Sequence, residues 1–114
     1  MPNDNLIYHI TTPAQWQQFA VLPFYEAPSL QTEGFIHASK AHQVEETANR
    51  YYKNEPEILL LTIDPSLLVI PLLYEEAPNR KEEFPHIYGK LNKDAIVEHK
   101  TIARQQNGKY QISL

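Results

Sequence analysis

Glu57-Ile58-Leu59-Leu60-Leu61-Thr62-Ile63 is the most apolar run in the chain. It is continuously hydrophobic rather than alternating, so it reads as a central strand buried on both faces. Asn54-Glu55-Pro56 closes the segment before it, and Asp64-Pro65-Ser66 makes a turn or one helical turn after it. A strand that hides both faces needs strands beside it and other elements above and below.

Those partners are sought outward along the chain. On the N-terminal side, Leu6 to Ile10 is a β-prone run. Thr12 is a candidate N-cap with Pro13 at the first helical position. Trp16, Phe19 and Ala20 recur at helical spacing, which predicts a helix over 13–20. Pro23 and Pro28 bracket a loop whose Phe24 and Tyr25 pack back on the body. Gly34 to His37 is a second short strand. Ser39 caps a helix from Lys40 to about Tyr52, with Val44, Ala48 and one of Tyr51 or Tyr52 on its buried face. On the C-terminal side, Val69 to Tyr74 is a strand that Pro71 places at an edge or a bulge. Residues 75–83 are a polar loop, and Phe84 to Gly89 is a turn-rich apolar element. A long strand runs from Ala95 to about Arg104. Asn107-Gly108 is a hairpin signal leading to a last strand, Tyr110 to Leu114. The order β-α-β-α-β-β-β-β, helices early and strands late, predicts an α+β fold with two main helices and a largely antiparallel sheet.

The chain has 114 residues, no cysteine and a formal net charge of -4. That length predicts one domain over 1–114. The acidic balance and scattered basic residues give no footprint for nucleic acid. Disulfides and thiolate metal sites are excluded, which fits a reducing compartment. Met1-Pro2-Asn3-Asp4-Asn5 is polar without a basic flank, and no apolar run approaches the ~20 residues of a membrane span. The expectation is a soluble, cytoplasmic protein, with its oligomeric state open.

Candidate chemistry gathers at three histidines among aromatic, small and hydroxyl residues. These are Ile7-Tyr8-His9-Ile10-Thr11-Thr12, Gly34-Phe35-Ile36-His37-Ala38-Ser39 and Phe84-Pro85-His86-Ile87-Tyr88-Gly89. Each segment reads as a strand end or an adjoining turn. Histidine donates or accepts at neutral pH, and threonine hydroxyls can hold a ribose or phosphate oxygen. Free amides at a helix start near Ser39 favour an anion. His86 and Tyr88 alternate and share a side in an extended segment. His42 reads as a surface residue, and His99 as a structural or exposed one. Glu33, Glu75, Glu82 and Glu83 lie near the three segments, and Glu82 or Glu83 could act as acid or base. No H-x-x-x-H, H-E-x-x-H or Asp-x-Asp loop occurs, so a metal site would need three distant histidines. The chain also lacks G-x-S-x-G, G-x-x-x-x-G-K-[ST] and G-x-G-x-x-G, which argues against hydrolase-elbow, P-loop and Rossmann readings.

Taken together, Ile-Tyr-His-Ile-Thr, Pro-Ser-Leu-Gln-Thr-Glu-Gly-Phe-Ile-His-Ala-Ser, Leu-Leu-Leu-Thr-Ile-Asp-Pro and Phe-Pro-His-Ile-Tyr-Gly-Lys-Leu resemble the domain of unknown function 952 family, from about Ile7 to Val97. The resemblance implies a fold similar to the ADP-ribosyltransferases, a split antiparallel β core that grips NAD. Tyr8-His9-Ile10-Thr11 resembles the first motif of the poly-ADP-ribose polymerases, with Ile10 where they have glycine. By that likeness His9 and Thr11 hold a ribose beside Tyr8, and His37 stands where an aromatic stacks on nicotinamide. Ser39 and the amides after it take a phosphate. His86 serves as general acid or base, with Tyr88 shaping the pocket. The third motif's glutamate has no assigned counterpart here. The implied ligand is NAD, ADP-ribose or another nucleotide-like small molecule. The implied activity is ADP-ribosyl transfer or NAD cleavage. A binding module without chemistry and a three-histidine metal hydrolase are the alternatives.

Overall fold

A computed structural model describes residues 5–77 and 81–114. The apolar run is strand β4 (Glu57–Ile63). It lies between β1 (Ile7–Thr11) and β8 (Ile96–Ala103) in a three-stranded antiparallel sheet. Successive side chains of a strand point to opposite faces, and both faces of β4 are covered. Leu59, Leu61 and Ile63 join Ile7 in a core with Tyr25, Ile36 and Ile87. Ile58 and Leu60 join Tyr8 and Ile10 in a second core with Val44, Ala48 and Tyr110. The register slips between Thr62, opposite Glu98, and Ile63, opposite Ile96, so Val97 is the extra residue of a bulge.

A second antiparallel sheet has the order β3 (Ile36–His37), β6 (Glu83–Ile87), β5 (Leu72–Glu76). A third ladder pairs β2 (Phe24–Tyr25) with β7 (Leu91–Asn92). The helices are short: α1 (Pro13–Gln17), α2 (Pro28–Glu33) and α3 (Val44–Tyr51). Thr12 caps α1 through its hydroxyl, which accepts the Gln15 N–H at 3.2 Å.

The structure corrects several expectations. There are three short α-helices among the described residues where two main ones were expected, and α2 and β2 occupy the stretch read as loop. The helix after Ser39 starts later, at Val44, because Ala41–Gln43 forms a 3-10 turn. Lys40 N–H is satisfied there by Gln43 Oε1 at 2.9 Å. Phe84 to Gly89 holds the central strand of its sheet rather than a turn. Pro85 is tolerated there because β3 stops at His37; past that point the Pro85 carbonyl, not its missing N–H, meets Ala38 N–H at 3.0 Å. Strand β5 is an edge, starts one residue after Pro71 and extends through Glu76. The polar loop expected over 75–83 therefore narrows, and residues 78–80 of it lie outside the described residues, as do Met1 to Asp4.

The last strand does not form. Asn107-Gly108 does make a turn, with Gly108 at φ 84. The chain after it leaves β8 and packs along α3. Asn49 explains the departure: its carboxamide accepts the Tyr110 N–H at 2.7 Å and donates to the Tyr110 carbonyl at 3.0 Å. One side chain replaces the ladder bonds a neighbouring strand would supply.

Candidate functional site

The two larger sheets meet at one bridge. Tyr8 N–H donates to the Ser39 carbonyl at 2.8 Å, and Ser39 N–H donates to the Tyr8 carbonyl at 2.7 Å. The next hydrogen-bonded pair of an antiparallel ladder would be Ile10 with His37. Side chains take those carbonyls instead. His9 Nδ1–H donates to the His37 carbonyl at 2.6 Å, and the Tyr52 hydroxyl donates to the Ile10 carbonyl at 3.2 Å. Both acceptors are satisfied without zipping the strands, so the sheets part. A cavity of about 650 Å³ opens there. Its walls include His9 and Ile10 of β1, His37 and Ser39, and Thr47 and Tyr52 beside them.

His9 is the wedge. It is 5% exposed, and its second nitrogen, Nε2, faces the Tyr25 hydroxyl at 3.1 Å. Tyr25 in turn lies 2.8 Å from the Thr11 hydroxyl. Burial pulls the His9 pKa down to about 4, against the opposing effect of its bond to the His37 carbonyl. The imidazole is therefore neutral at pH 7, with both nitrogens engaged.

His37 is different. Its side chain is half exposed, and Nε2–H donates to Glu33 Oε2 at 3.0 Å. The pair exists because α2 ends at Glu33 on a left-handed residue, Gly34 at φ 89, whose N–H returns to the Ser29 and Leu30 carbonyls. A methyl group at Gly34 would meet nothing within 4 Å, so the cost of replacing it is conformational. Gly34→Ala is expected to lose about 1–2 kcal/mol in urea unfolding, without a packing defect.

His86 lies opposite His37 across β3 and β6. The two rings stand edge-on at 5.5 Å, and Phe35 stacks on His86 at 4.1 Å. His86 Nδ1–H donates to Glu75 Oε1 at 2.8 Å, and the Tyr88 hydroxyl donates to the same oxygen at 2.5 Å. The Tyr88 bond first, and His86 second, hold the Glu75 carboxyl below the usual range, while the carboxylate pushes the Tyr88 hydroxyl up. Among the described residues no buried side-chain nitrogen lacks a partner. Among the described residues His86 Nε2 has no hydrogen-bond partner, and the residue is 5% exposed.

Of the residues singled out from sequence, Tyr8, His9, His37 and Ser39 line the cavity, while Thr11, His86 and Tyr88 do not. Thr11 shares a strand face with His9 and is turned toward Tyr25. His86 and Tyr88 turn to Glu75. Ser39 is not a helix cap: its backbone forms the sheet bridge, and its hydroxyl lies 3.5 Å from that of Thr47. The phosphate position expected at a Ser39-capped helix start loses its geometry with that cap. Among the four carboxylates, Glu33 reaches the cavity wall, whereas Glu82 bonds His42 at 3.2 Å. Sequence reasoning missed Tyr25 and Tyr52 as partners of the split. Their aromatic packing was legible, but the carbonyl and imidazole they meet lie 42 and 16 residues away. No group of three His, Asp or Glu side chains is placed to share a metal ion among the described residues. The three-histidine metal centre therefore fails: both His9 nitrogens are already engaged inside the protein.

Fold and cleft define a mixed α+β protein of antiparallel sheets with few helices. No helix among the described residues is long and apolar enough to cross a membrane. The model of the family described as a protein of unknown function, DUF952, matches residues 10–99, and the chain belongs to that family. It is similar to the crystal structure of protein CC0527 from Caulobacter crescentus, with 26% identity over 93% of each chain and a TM-score of 0.83. The solution NMR structure of CC0527 gives 26% identity, 94% of this chain, 92% of that one and a TM-score of 0.80. No curated protein matches the chain.

Proposed function

We propose that the chain is a single ADP-ribosyltransferase-like domain whose cleft binds NAD, ADP-ribose or another nucleotide-like small molecule. The observation that carries this reading is the split itself: two antiparallel sheets joined at Tyr8 and Ser39, then held apart around a cavity of about 650 Å³. That volume suits a small-molecule site. The wall chemistry suits a sugar joined to a ring. Ser39 and Thr47 offer neighbouring hydroxyls for ribose oxygens, and Tyr8, Tyr51, Tyr52 and Phe84 offer aromatic surface. NAD, when bound, supplies a glycosidic bond to nicotinamide as the reacting group.

In this reading His9 positions rather than reacts, since its nitrogens are taken. His37 is the general base. Glu33 fixes Nε2–H, which leaves Nδ1 as the acceptor for a proton from water or a hydroxyl. His86, held by Glu75 outside the cavity wall, stands edge-on to the His37 ring at 5.5 Å and is the second proton-carrying group of this reading. A binding module without chemistry is the second reading. Ile10, where the poly-ADP-ribose polymerase motif has glycine, favours it, and so does the lack of an assigned counterpart to the third motif's glutamate.

Calorimetric titration with NAD and with ADP-ribose, run alongside a nicotinamide-release assay, separates these readings. The expected result is saturable binding that weakens about tenfold in His37→Ala, the loss of roughly one hydrogen bond. Binding without nicotinamide release selects the module. A wild-type protein that binds neither compound overturns the proposal.

A further inference from the structure

The two edges of the first sheet are unlike. Strand β1 is buried along its whole length and is tied to the second sheet through Tyr8. Strand β8 pairs with β4 on one side, and its other edge has no strand partner among the described residues. Val97 to Thr101 are all exposed, and from Glu98 onward they alternate between the two faces. An open edge of eight residues is a template for another strand unless something blocks it. The strand contains no proline, and its bulge sits at Val97, near one end, so Glu98 to Ala103 stays regular.

The charge order along this edge is selective. Glu98 and Lys100 lie on one face, two residues apart, and neither has an ion-pair partner among the described residues. We infer that β8 pairs antiparallel with β8 of a second copy of this chain, about a two-fold axis at His99, joining two three-stranded sheets into one of six. In that register Glu98 of each copy faces Lys100 of the other, on either side of His99. Sliding the pairing so that the axis falls at Glu98 or at Lys100 sets like charges opposite, which is unfavourable. The two-fold operation satisfies both contacts at once, as an isologous interface requires. A ladder of this length falls below the area of a standard stable interface, so the dimer is weak and concentration-dependent.

Sedimentation of the full chain over a concentration series tests this. The mass is expected to rise from 13.2 kDa toward twice that value, and less so at high salt. Glu98→Lys and Lys100→Glu are each expected to raise the dimer dissociation constant at least tenfold, with unchanged circular dichroism because both sites are exposed. The double reversal is expected to restore dimerisation. A monomeric wild type at every concentration, which would leave the edge to a different partner, overturns the inference. So does a dimer indifferent to either single reversal, or a double variant that stays monomeric.

Discussion

Acidification from pH 6.5 to pH 4 is expected to remove up to about 3 kcal/mol of stability through one side chain, His9. Unfolded, this imidazole takes a proton below its ordinary pKa of 6.5; folded, it resists until about 4. Between those values the unfolded chain holds more protons, so falling pH favours it. Above pH 6.5 the contribution is complete, and below about 4 nothing more is lost. The magnitude follows from about 1.4 kcal/mol per pH unit. Glu75 acts in a different window. Its depressed carboxyl contributes above the ordinary value of 4.5, and that contribution goes as pH falls below it. Urea unfolding at pH 7 and at pH 4.5 measures the His9 effect. In His9→Asn the amide still offers a donor to the His37 carbonyl but does not titrate. Its stability is expected to be flat over the same interval. An equal slope in both proteins would locate the titration elsewhere.

Leu60→Ala and Leu61→Ala are each expected to cost about 2–5 kcal/mol, although the two residues are neighbours. A strand covered on one face would tolerate one of them at almost no cost. Here Leu60 fills the core against α3 and Tyr110, while Leu61 fills the core around Tyr25, Ile36 and Ile87. The two cavities share no lining residue among these partners, so the combined loss is expected to be close to the sum, less any coupling through their shared backbone. Their sum approaches the whole stability of a domain, about 5–15 kcal/mol, and the double variant is expected to be unfolded by near-ultraviolet circular dichroism. Retained native signal in the double, or a loss confined to one single variant, would contradict a strand buried on both sides.

Local chemistry made much of this fold legible. Strands β1, β4 and β8, the Thr12 cap and the edge position of β5 all rest on short-range rules: continuous hydrophobicity, a hydroxyl before proline, and proline's missing donor. Failures came where a distant group, side chain or backbone, overrode a local signal. Asn107-Gly108 forms its turn, yet Asn49 claims Tyr110 and the hairpin ends there. Ser39 has the chemistry of a cap, yet Tyr8 claims its backbone. The candidate site divides the same way. Its histidines were visible as residue types in suggestive segments. Their roles were not, because His9, His37 and His86 differ only in what surrounds them: a sealed wedge, a half-exposed imidazole held by Glu33, and a ring stacked on Phe35.

Residue order alone therefore determined the strands β1, β4 and β8 and which positions can carry protons, since propensity and titration are properties of short stretches. Tertiary structure decided where the sheets part. This ladder stops where its next carbonyls, of His37 and Ile10, find other donors, and those donors, His9 and Tyr52, are delivered by packing rather than by sequence neighbourhood.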